Sequence, residues 1–383
     1  MSVWRDVVGQ QWAVGELTAA VTDPASMTHA WLFTGPPGSG RSTAARAFAA
    51  ALQCPRGGCG ECTSCRTVMA GTHADVREVV PEGLSISVAE MRRLVQLAAR
   101  RPSTGRWQIL IIQDADRLGE RAANALLKAV EEPAPDTVFL LCAPSDHPDD
   151  VPITIRSRCR PIPLRTPSVE AIAEVLATRD GLDPEAATWA ASVSGGHVGR
   201  ARWLARDEEA RRRRAEALDL PMKVRGIGDA FAYASKLVTA AKAEATEIAE
   251  GRDAAEREEL AVAMGAGGTG KGVAAAARSA KAAERELEKR QKSRTTRNQR
   301  DALDRAIIDL AGFFRDVLVA RSGAQVPLTN PDRLADIQRA AGEWTPESTL
   351  RRLEAVLACR EALNANVKPE IAVENMLLSL HRG

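Results

Sequence analysis

The chain has 383 residues, of which 45% are hydrophobic and 27% are charged, and its formal net charge at pH 7 is +2. This composition is typical of a globular protein with two or three domains, and the balanced charge argues against a protein that coats nucleic acid over its whole surface. No apolar run approaches the ~20 residues of a membrane span, and the first residues lack the pattern of a secretory signal. We therefore expect a cytoplasmic protein.

Apolar strand-like runs alternate with helical runs over the first 165 residues. Strands are predicted at 30–34, 75–80, 107–113 and 137–142, and helices at 42–52, 87–100 and 121–132. The run 109–112 is four consecutive apolar residues, as in a strand that is covered on both faces. This alternation predicts an α/β domain with a parallel sheet over residues 1–165.

The rest of the chain has a helical composition. We expect a small helical domain at 166–206 and a larger all-α domain at 207–383. Within the larger domain, about 240–300, large apolar residues are scarce and Ala, Glu, Lys and Arg dominate. That insert is interpreted as a projecting helical hairpin or as a partly disordered segment, because it has little to bury.

A glycine-rich loop follows the first predicted strand and leads into a helix. It has the G-x-x-x-x-G spacing of a phosphate-binding loop, whose backbone N–H groups face an anion at a helix N-terminus. The candidate phosphate-binding residues are Gly35, Pro36, Gly38, Ser39, Gly40, Arg41, Ser42 and Thr43. Ser42 stands where a Mg²⁺-binding hydroxyl belongs, so the loop predicts a site for ATP or ADP with Mg²⁺.

Three departures suggest that this nucleotide site is degenerate. Arg41 replaces the usual lysine, and a planar forked cation is not equivalent to a compact one. An ATPase needs an adjacent Asp-Glu pair after a buried strand, but residues 113–116 provide only Asp114 or Asp116 without a following glutamate. At the end of the next strand, only Ser145 could act as a polar sensor of the nucleotide.

A second glycine-rich stretch lies at 265–272 and also has G-x-x-x-x-G-K spacing. It lacks the Ser or Thr after the lysine, and no strand precedes it. We interpret it as a flexible glycine hinge.

Four cysteines lie within twelve residues, at Cys54, Cys59, Cys62 and Cys65. Short Cys-x₂-Cys turns place sulfurs at neighbouring corners of a tetrahedron, which favours Zn²⁺ over the alternative of an iron–sulfur cluster. Four protein ligands leave no open position for water, so the predicted zinc is structural. The other three cysteines, Cys142, Cys159 and Cys359, are interpreted as buried apolar residues.

Several stretches resemble the clamp-loader branch of the AAA+ family. They are Val8-Gly9-Gln10, the four-cysteine insertion, the helix 124–133, Ser157-Arg158-Cys159 and the tail 364–378. The resemblance covers about residues 1–205 and the last forty residues. It implies an AAA+ P-loop domain with a zinc insertion, a helical lid and an all-α collar that mediates oligomerisation.

The resemblance also implies partners and roles. In this family Val8, Gly9 and Gln10 border the adenine pocket. Arg158 is implied to be an arginine finger that reaches the γ-phosphate held by a neighbouring motor subunit. The implied assembly is a hetero-pentamer of the bacterial DNA polymerase III clamp loader, with gamma or tau motor subunits and delta, acting on the sliding clamp and on primer-template DNA. The family's lid arginine is displaced here, because Gly199 takes its position and Arg200 follows one residue late.

Two alternatives stay open from the sequence. An active AAA+ ATPase of replication or repair would use Arg41 in place of lysine, and a zinc-dependent module would bind DNA by itself. The basic stretches 211–214 and 289–300 could contact phosphates, but both lie among acidic residues and favour a solvated helix face.

Overall fold

A computed structural model describes residues 2–81, 83–263 and 273–383. They form two compact units that divide between Arg206 and Asp207. The glycine-rich stretch 265–272 lies outside the described residues. In the described part of the chain, no helix combines the length and the apolar character that a membrane span requires.

The first unit contains a five-stranded sheet in which every paired strand is parallel. Its strands are β1 (Ala30–Thr34), β2 (Val76–Val79), β3 (Gln108–Ile112), β4 (Thr137–Ala143) and β5 (Arg160–Pro163). The spatial order is β2-β3-β4-β1-β5, and in the centre Leu32 of β1 pairs with Leu141 of β4. The predicted parallel α/β domain is confirmed.

Strand β5 was not predicted from the sequence, in which no strand pattern follows β4. It has only four residues, two of them proline, and pairs only with β1 at the edge of the sheet. Proline lacks the N–H that a central ladder needs, but an edge strand tolerates it. The edge position is a tertiary property, so the local composition does not indicate a strand.

The central strands are buried on both faces because successive side chains alternate between two apolar layers. Trp31 and Phe33 pack with Phe48 on one face, while Leu32 and Leu141 belong to the core on the other. The rings of Trp31 and Phe48 meet edge to face, with centroids 5.1 Å apart. Uninterrupted apolar runs in the sequence are the consequence of this double coverage.

Nine helices are described in the first unit. They are α1 (Gln11–Thr22), α2 (Arg41–Gln53), α3 (Thr63–Met69), α4 (Val88–Ala98), α5 (Glu120–Glu131), α6 (Ile153–Arg156), α7 (Val169–Thr178), α8 (Pro184–Ser192) and α9 (Val198–Arg206). Ser87 and Ser168 cap the starts of α4 and α7, since their hydroxyls accept from the backbone N–H groups of Glu90 and Ala171. Helices α7 to α9 enclose a small apolar core of their own.

Asp75 fixes the loop that precedes β3. Its buried carboxylate accepts hydrogen bonds from the backbone N–H and hydroxyl groups of Ser103 and Thr104 and from Gly105 N–H, at 2.6 to 2.9 Å. Burial raises the pKa of Asp75, but these hydrogen bonds outweigh it and lower the pKa below the ordinary value of 3.8. The charged carboxylate is therefore the form that the fold requires.

Replacing Asp75 by alanine is expected to destabilise the first unit by about 3 kcal/mol, because buried donors are left unsatisfied. A carboxyl whose pKa is depressed by folding adds stability above its unfolded pKa, and this stability is lost as the pH falls through the folded pKa. The free energy of unfolding of the wild type, measured with urea, should thus decrease as the pH falls below about 4. The free energy of unfolding of the variant should depend less on pH. Asp149→Ala is the control, since its side chain is 90% exposed and the change should cost under about 0.5 kcal/mol.

The second unit is helical throughout its described residues. Its helices are α10 (Glu208–Lys223), α11 (Ile227–Ala263), α12 (Val273–Ser322), α13 (Leu334–Glu343), α14 (Pro346–Asn364) and α15 (Pro369–Arg382). Helices α11 and α12 pack against each other, and α12 also packs on α13 and α14. Phe313, Phe314 and Met376 lie in the shared core.

The basic run 211–214 is not a uniformly solvated face. Arg214 is 6% exposed, and its guanidinium contacts the carboxylate of Asp332 at 2.6 Å and the side-chain oxygen of Asn330 at 2.7 Å. Arg213 forms ion pairs with Glu244 and Glu209. Arg213 and Arg214 therefore hold helices of this unit together.

Candidate functional site

The loop between β1 and α2 curls in a way that only glycine allows. Gly35, Gly38 and Gly40 have φ values of 152°, 88° and 89°. A Cβ on Gly35 would lie 2.5 Å from the Leu164 oxygen, and one on Gly38 would lie 2.6 Å from the Cβ of His197. The loop ends at the N-terminus of α2, where backbone N–H groups and the helix dipole favour an anion.

The loop opens on a cavity of about 420 Å³. Eight of the predicted nucleotide-site residues line it: Val8, Gly38, Ser39, Gly40, Arg41, Ser42, Thr43 and Asp114. Four others, Gly9, Gln10, Gly35 and Pro36, are not part of the lining. A cavity of this size is in the usual range for a small-molecule site.

Gln10 does not line the cavity but holds the phosphate loop in place through hydrogen bonds. Its buried side-chain amide donates to the backbone oxygens of Ser39 at 3.2 Å and Arg165 at 2.6 Å, and its side-chain oxygen accepts from Arg165 N–H at 3.0 Å. Gln10 therefore ties the loop to the segment after β5, and it acts as a positioning residue rather than as part of the lining.

Arg41 folds back onto its own loop. One guanidinium nitrogen donates to the Gly35 oxygen at 2.5 Å, which places the charge against the loop's first carbonyl. Because the Gly35 oxygen occupies one of the guanidinium's donors, an incoming phosphate would have to compete with that oxygen for Arg41.

Three more arginines line the cavity, and no sequence pattern predicted them. Arg46 and Arg202 lie on α2 and α9, and Arg179 directly follows α7. Each already has an acidic partner: Arg46 contacts Glu78 at 2.7 Å, Arg179 contacts Asp6, and Arg202 contacts Asp180 at 2.5 Å. Their positions are set by helix packing, and no local motif marks them.

The arginine that α9 contributes to the cavity lining is not the one that directly follows Gly199 in the sequence. Gly199 lines the cavity, but Arg200 does not, and Arg202 on the same helix does. Among the residues of α9, the cation in the lining is therefore Arg202, three residues after Gly199.

Two carboxylates line the cavity, those of Asp6 and Asp114. Asp6 is engaged by Arg179, and Asp114 has a left-handed backbone conformation with φ 49°. The side-chain amide of Gln113, one residue earlier, donates a hydrogen bond to the carboxylate of Glu78 on β2. The same carboxylate accepts a hydrogen bond from the Arg46 guanidinium. The ion pair with Arg46 and the bond from Gln113 engage the carboxylate of Glu78, so it is not a free base for activating water.

The predicted polar sensor Ser145 is not part of the cavity lining. Its hydroxyl donates to the Asp150 carboxylate at 2.5 Å. Cys142 on β4 lines the cavity instead, and burial raises the pKa of its thiol to about 12. A neutral thiol is a weak hydrogen-bond donor, so this wall offers little to a developing phosphate charge.

The four clustered cysteines converge on one point. Their sulfur atoms all lie within 4.8 Å of one another, with Cys54 Sγ 3.6 Å from both Cys59 Sγ and Cys62 Sγ. These distances are far longer than a disulfide bond of about 2.05 Å, and the cysteines are free. The cluster can hold one metal ion through four sulfurs.

Backbone amides prepare the cluster for thiolates. The N–H groups of Glu61 and Cys62 lower the pKa of Cys59 to about 6, and burial raises the pKa of Cys65. Cys62 also caps α3, because its sulfur accepts from Cys65 N–H at 3.4 Å. The backbone therefore favours the thiolate at Cys59, whereas burial opposes it at Cys65.

Arg158 lies outside the cavity lining and is exposed. Its guanidinium contacts Glu131 of α5 at 2.6 Å, and it donates to the Thr154 oxygen at 2.8 Å and to the Ser157 hydroxyl at 3.1 Å. These contacts hold the side chain at the surface, and it does not line the chain's own phosphate loop.

Comparisons with known proteins match both ends of the chain. A family model described as DNA polymerase III, delta subunit, matches residues 10–168, and one described as DNA polymerase III, delta subunit, C terminal, matches residues 297–382. Together these two matches cover more than half of the chain.

Curated relatives agree with these models. DNA polymerase III subunit delta' of Bacillus subtilis is 26% identical over 99% of this chain and 99% of its own length. Subunit delta' of Pseudomonas aeruginosa is 38% identical over 40% of this chain and 49% of its own length. Subunit tau/gamma of Haemophilus influenzae is 35% identical over 45% of this chain and 26% of its own length. The chain therefore belongs to the delta-prime family of DNA polymerase III subunits.

Proposed function

We propose that this chain serves as the delta-prime subunit of a clamp loader, helps to place the sliding clamp on primed DNA, and completes the ATP site of a neighbouring motor subunit. The observation that carries the proposal is the position of Arg158. Four arginines line the chain's own cavity, whereas the exposed Arg158 lies outside that lining, where it contacts Glu131.

The chain's own nucleotide site is proposed to be degenerate. A bound nucleotide would place its phosphates against the N–H groups of the loop 38–43, with Ser42 and Asp114 available to Mg²⁺. Hydrolysis also needs a group that orients the attacking water and a cation that is free to stabilise the transferred phosphoryl. Arg41 donates to Gly35, and no glutamate follows Asp114, so these groups are missing from the lining described.

Arg158 has the properties of an arginine finger. Its planar guanidinium lies at a partly exposed position against Glu131, Thr154 and Ser157, so docking onto a phosphate would exchange the Glu131 contact for another charge-assisted one. At the interface with a motor subunit it would stabilise the charge that builds on the γ-phosphoryl.

The metal in the cysteine cluster is proposed to be structural zinc. A tetrahedral Zn²⁺ with ~2.3 Å bonds needs sulfurs about 3.8 Å apart, close to the 3.6 Å between Cys54 Sγ and both Cys59 Sγ and Cys62 Sγ. The ion would link α2 to α3 and would leave no position for substrate.

The proposed partners are gamma or tau motor subunits and delta in a hetero-pentamer of the cytoplasmic replisome, with primer-template DNA contacted mainly through the complex. Similarity to a tau/gamma subunit over 45% of the chain supports a common ancestor of the two kinds of subunit. It is compatible with assembly of related domains side by side.

Purified alone, the chain is expected to hydrolyse ATP no faster than its Ser42→Ala variant, because the site lacks a water-orienting glutamate. The measurement is steady-state phosphate release with Mg²⁺, alongside co-purification of the chain with the motor and delta subunits from the same source.

Brisk turnover that Ser42→Ala abolishes would support the alternative of an active AAA+ ATPase in which Arg41 replaces lysine. Failure to co-purify with any of those subunits would contradict the clamp-loader assignment itself.

A further inference from the structure

The outer face of α12 carries a row of four cations: Lys281, Arg285, Lys289 and Lys292. At 100° per residue, their spacing of four, four and three residues places them within an arc of about 80°, along about 16 Å of helix. All four side chains are exposed. This row is called the α12 stripe.

The stripe differs from the other cations of the same segment. Arg294 is 7% exposed and is engaged by Asp253 and Glu256 of α11. Arg297 pairs with Asp301 at 3.7 Å, and Arg300 donates to the Leu363 oxygen. Within residues 2–81, 83–263 and 273–383, no hydrogen bond or ion pair is described for the side chains of the stripe.

Exposed acidic residues also lie on α12 beside the stripe. Glu284, Glu286 and Glu288 fall outside its arc at 100° per residue, with Glu288 about 20° from Lys281. Between residues 281 and 292 the arc itself contains only the four cations, so a polyanion is attracted along one narrow line of the helix. Helix α11 exposes Glu250 and Glu258.

We propose that the α12 stripe binds the phosphate backbone of duplex DNA without reading its sequence. No aromatic residue occurs between residues 281 and 312, so the segment of α12 that bears the stripe lacks the stacking platform that single-strand binding uses. Exposed cations alone favour contact with phosphates. Neither family model covers residues 169–296, which include the whole stripe.

The test uses the full chain and a variant in which all four stripe residues are alanine, which keeps the helix because alanine has the highest helix propensity. Binding of a fluorescent 30-base-pair duplex is measured between 50 and 200 mM salt. If four phosphates are neutralised, a plot of the logarithm of the binding constant against the logarithm of the salt concentration should have a slope about 3.6 steeper in the wild type than in the variant. At 50 mM salt the variant should bind more than about tenfold more weakly.

The matched control is Glu250→Ala with Glu258→Ala, which should leave duplex affinity unchanged or increase it. Thermal unfolding and circular dichroism of both variants should equal those of the wild type, since all replaced side chains are exposed. An unchanged salt slope in the stripe variant would overturn the proposal. So would tighter stripe-dependent binding to a single strand of the same length.

A protein partner is the competing occupant. If the stripe variant keeps full duplex affinity but no longer co-purifies with the other clamp-loader subunits, the stripe is a protein contact and the DNA proposal is wrong. The duplex assay contains no partner subunit, so its failure would leave the proposed clamp-loader role untouched.

Discussion

Arg158→Ala is expected to lower the rate of ATP hydrolysis at the neighbouring motor site by about 10³-fold, because an arginine finger typically contributes 10³ to 10⁵ in kcat. Assembly should be unaffected, since the described contacts of the guanidinium are with Glu131, Thr154 and Ser157 at the surface. The measurement is single-turnover hydrolysis by the reconstituted complex, with assembly checked by size-exclusion chromatography. In the proposed hetero-pentamer the change affects one ATP site only, so the loss should appear as a missing fast phase.

Two further variants separate a finger from a general effect of charge. Arg156 is the matched control, because it is also a surface arginine, lies two residues earlier and donates to the Asp146 oxygen at 2.8 Å. Arg156→Ala should retain the fast phase. Arg158→Lys keeps the positive charge but loses the planar fork, so it should rescue only part of the rate. Full activity of Arg158→Ala within an intact complex would refute the finger assignment.

Sequence patterns predicted the parts of the site that lie on continuous stretches of chain. The loop 35–43 and the four cysteines need fixed spacings for their chemistry, so their positions in the sequence are informative. The loop's main-chain geometry follows from glycines at Gly35, Gly38 and Gly40, whose φ values other residues rarely adopt.

The features that the sequence did not reveal depend on long-range packing. Arg46, Arg179 and Arg202 meet around one cavity only after three helices have packed. The Ser145 hydroxyl donates to Asp150, five residues away, and nothing in the pattern 143–145 indicates that hydrogen bond.

The burial of the Arg214 guanidinium was equally impossible to predict from the sequence. Arg214 sits in a run of four arginines that resembles a solvated face, yet its partners Asn330 and Asp332 are more than a hundred residues away. A helical pattern of charges specifies which face a residue occupies, but not whether a distant acid will cover it.

The fold around the cysteine cluster explains why loss of the proposed zinc should be costly. Cys65 is buried in the main core, and Cys54 ends α2, the helix that begins at the phosphate loop. Without an ion, burial opposes the thiolate of Cys65, as the raised pKa indicates. A bound cation reverses that preference, so metal binding and folding of this region are coupled.

Cys62→Ser is therefore expected to reduce bound zinc from about one ion per chain to a small fraction and to destabilise the first unit by about 3–5 kcal/mol or more, part of the 10–16 kcal/mol that structural zinc can contribute. Serine is a good N-cap, so it can replace the cap that Cys62 provides to α3, and the loss reports on the metal. The measurements are zinc content by elemental analysis and unfolding by urea.

Chelation provides the internal check. A strong chelator should bring the wild type to the stability of Cys62→Ser and should leave that variant unchanged, whereas Cys359→Ala in the second unit should keep its zinc. Zinc should also be released as the pH falls, since protons compete with the metal for thiolates. Protein purified without chelator that contains iron, or that contains no metal and is as stable as chain reconstituted with zinc, would show that the four sulfurs do not form a structural zinc site.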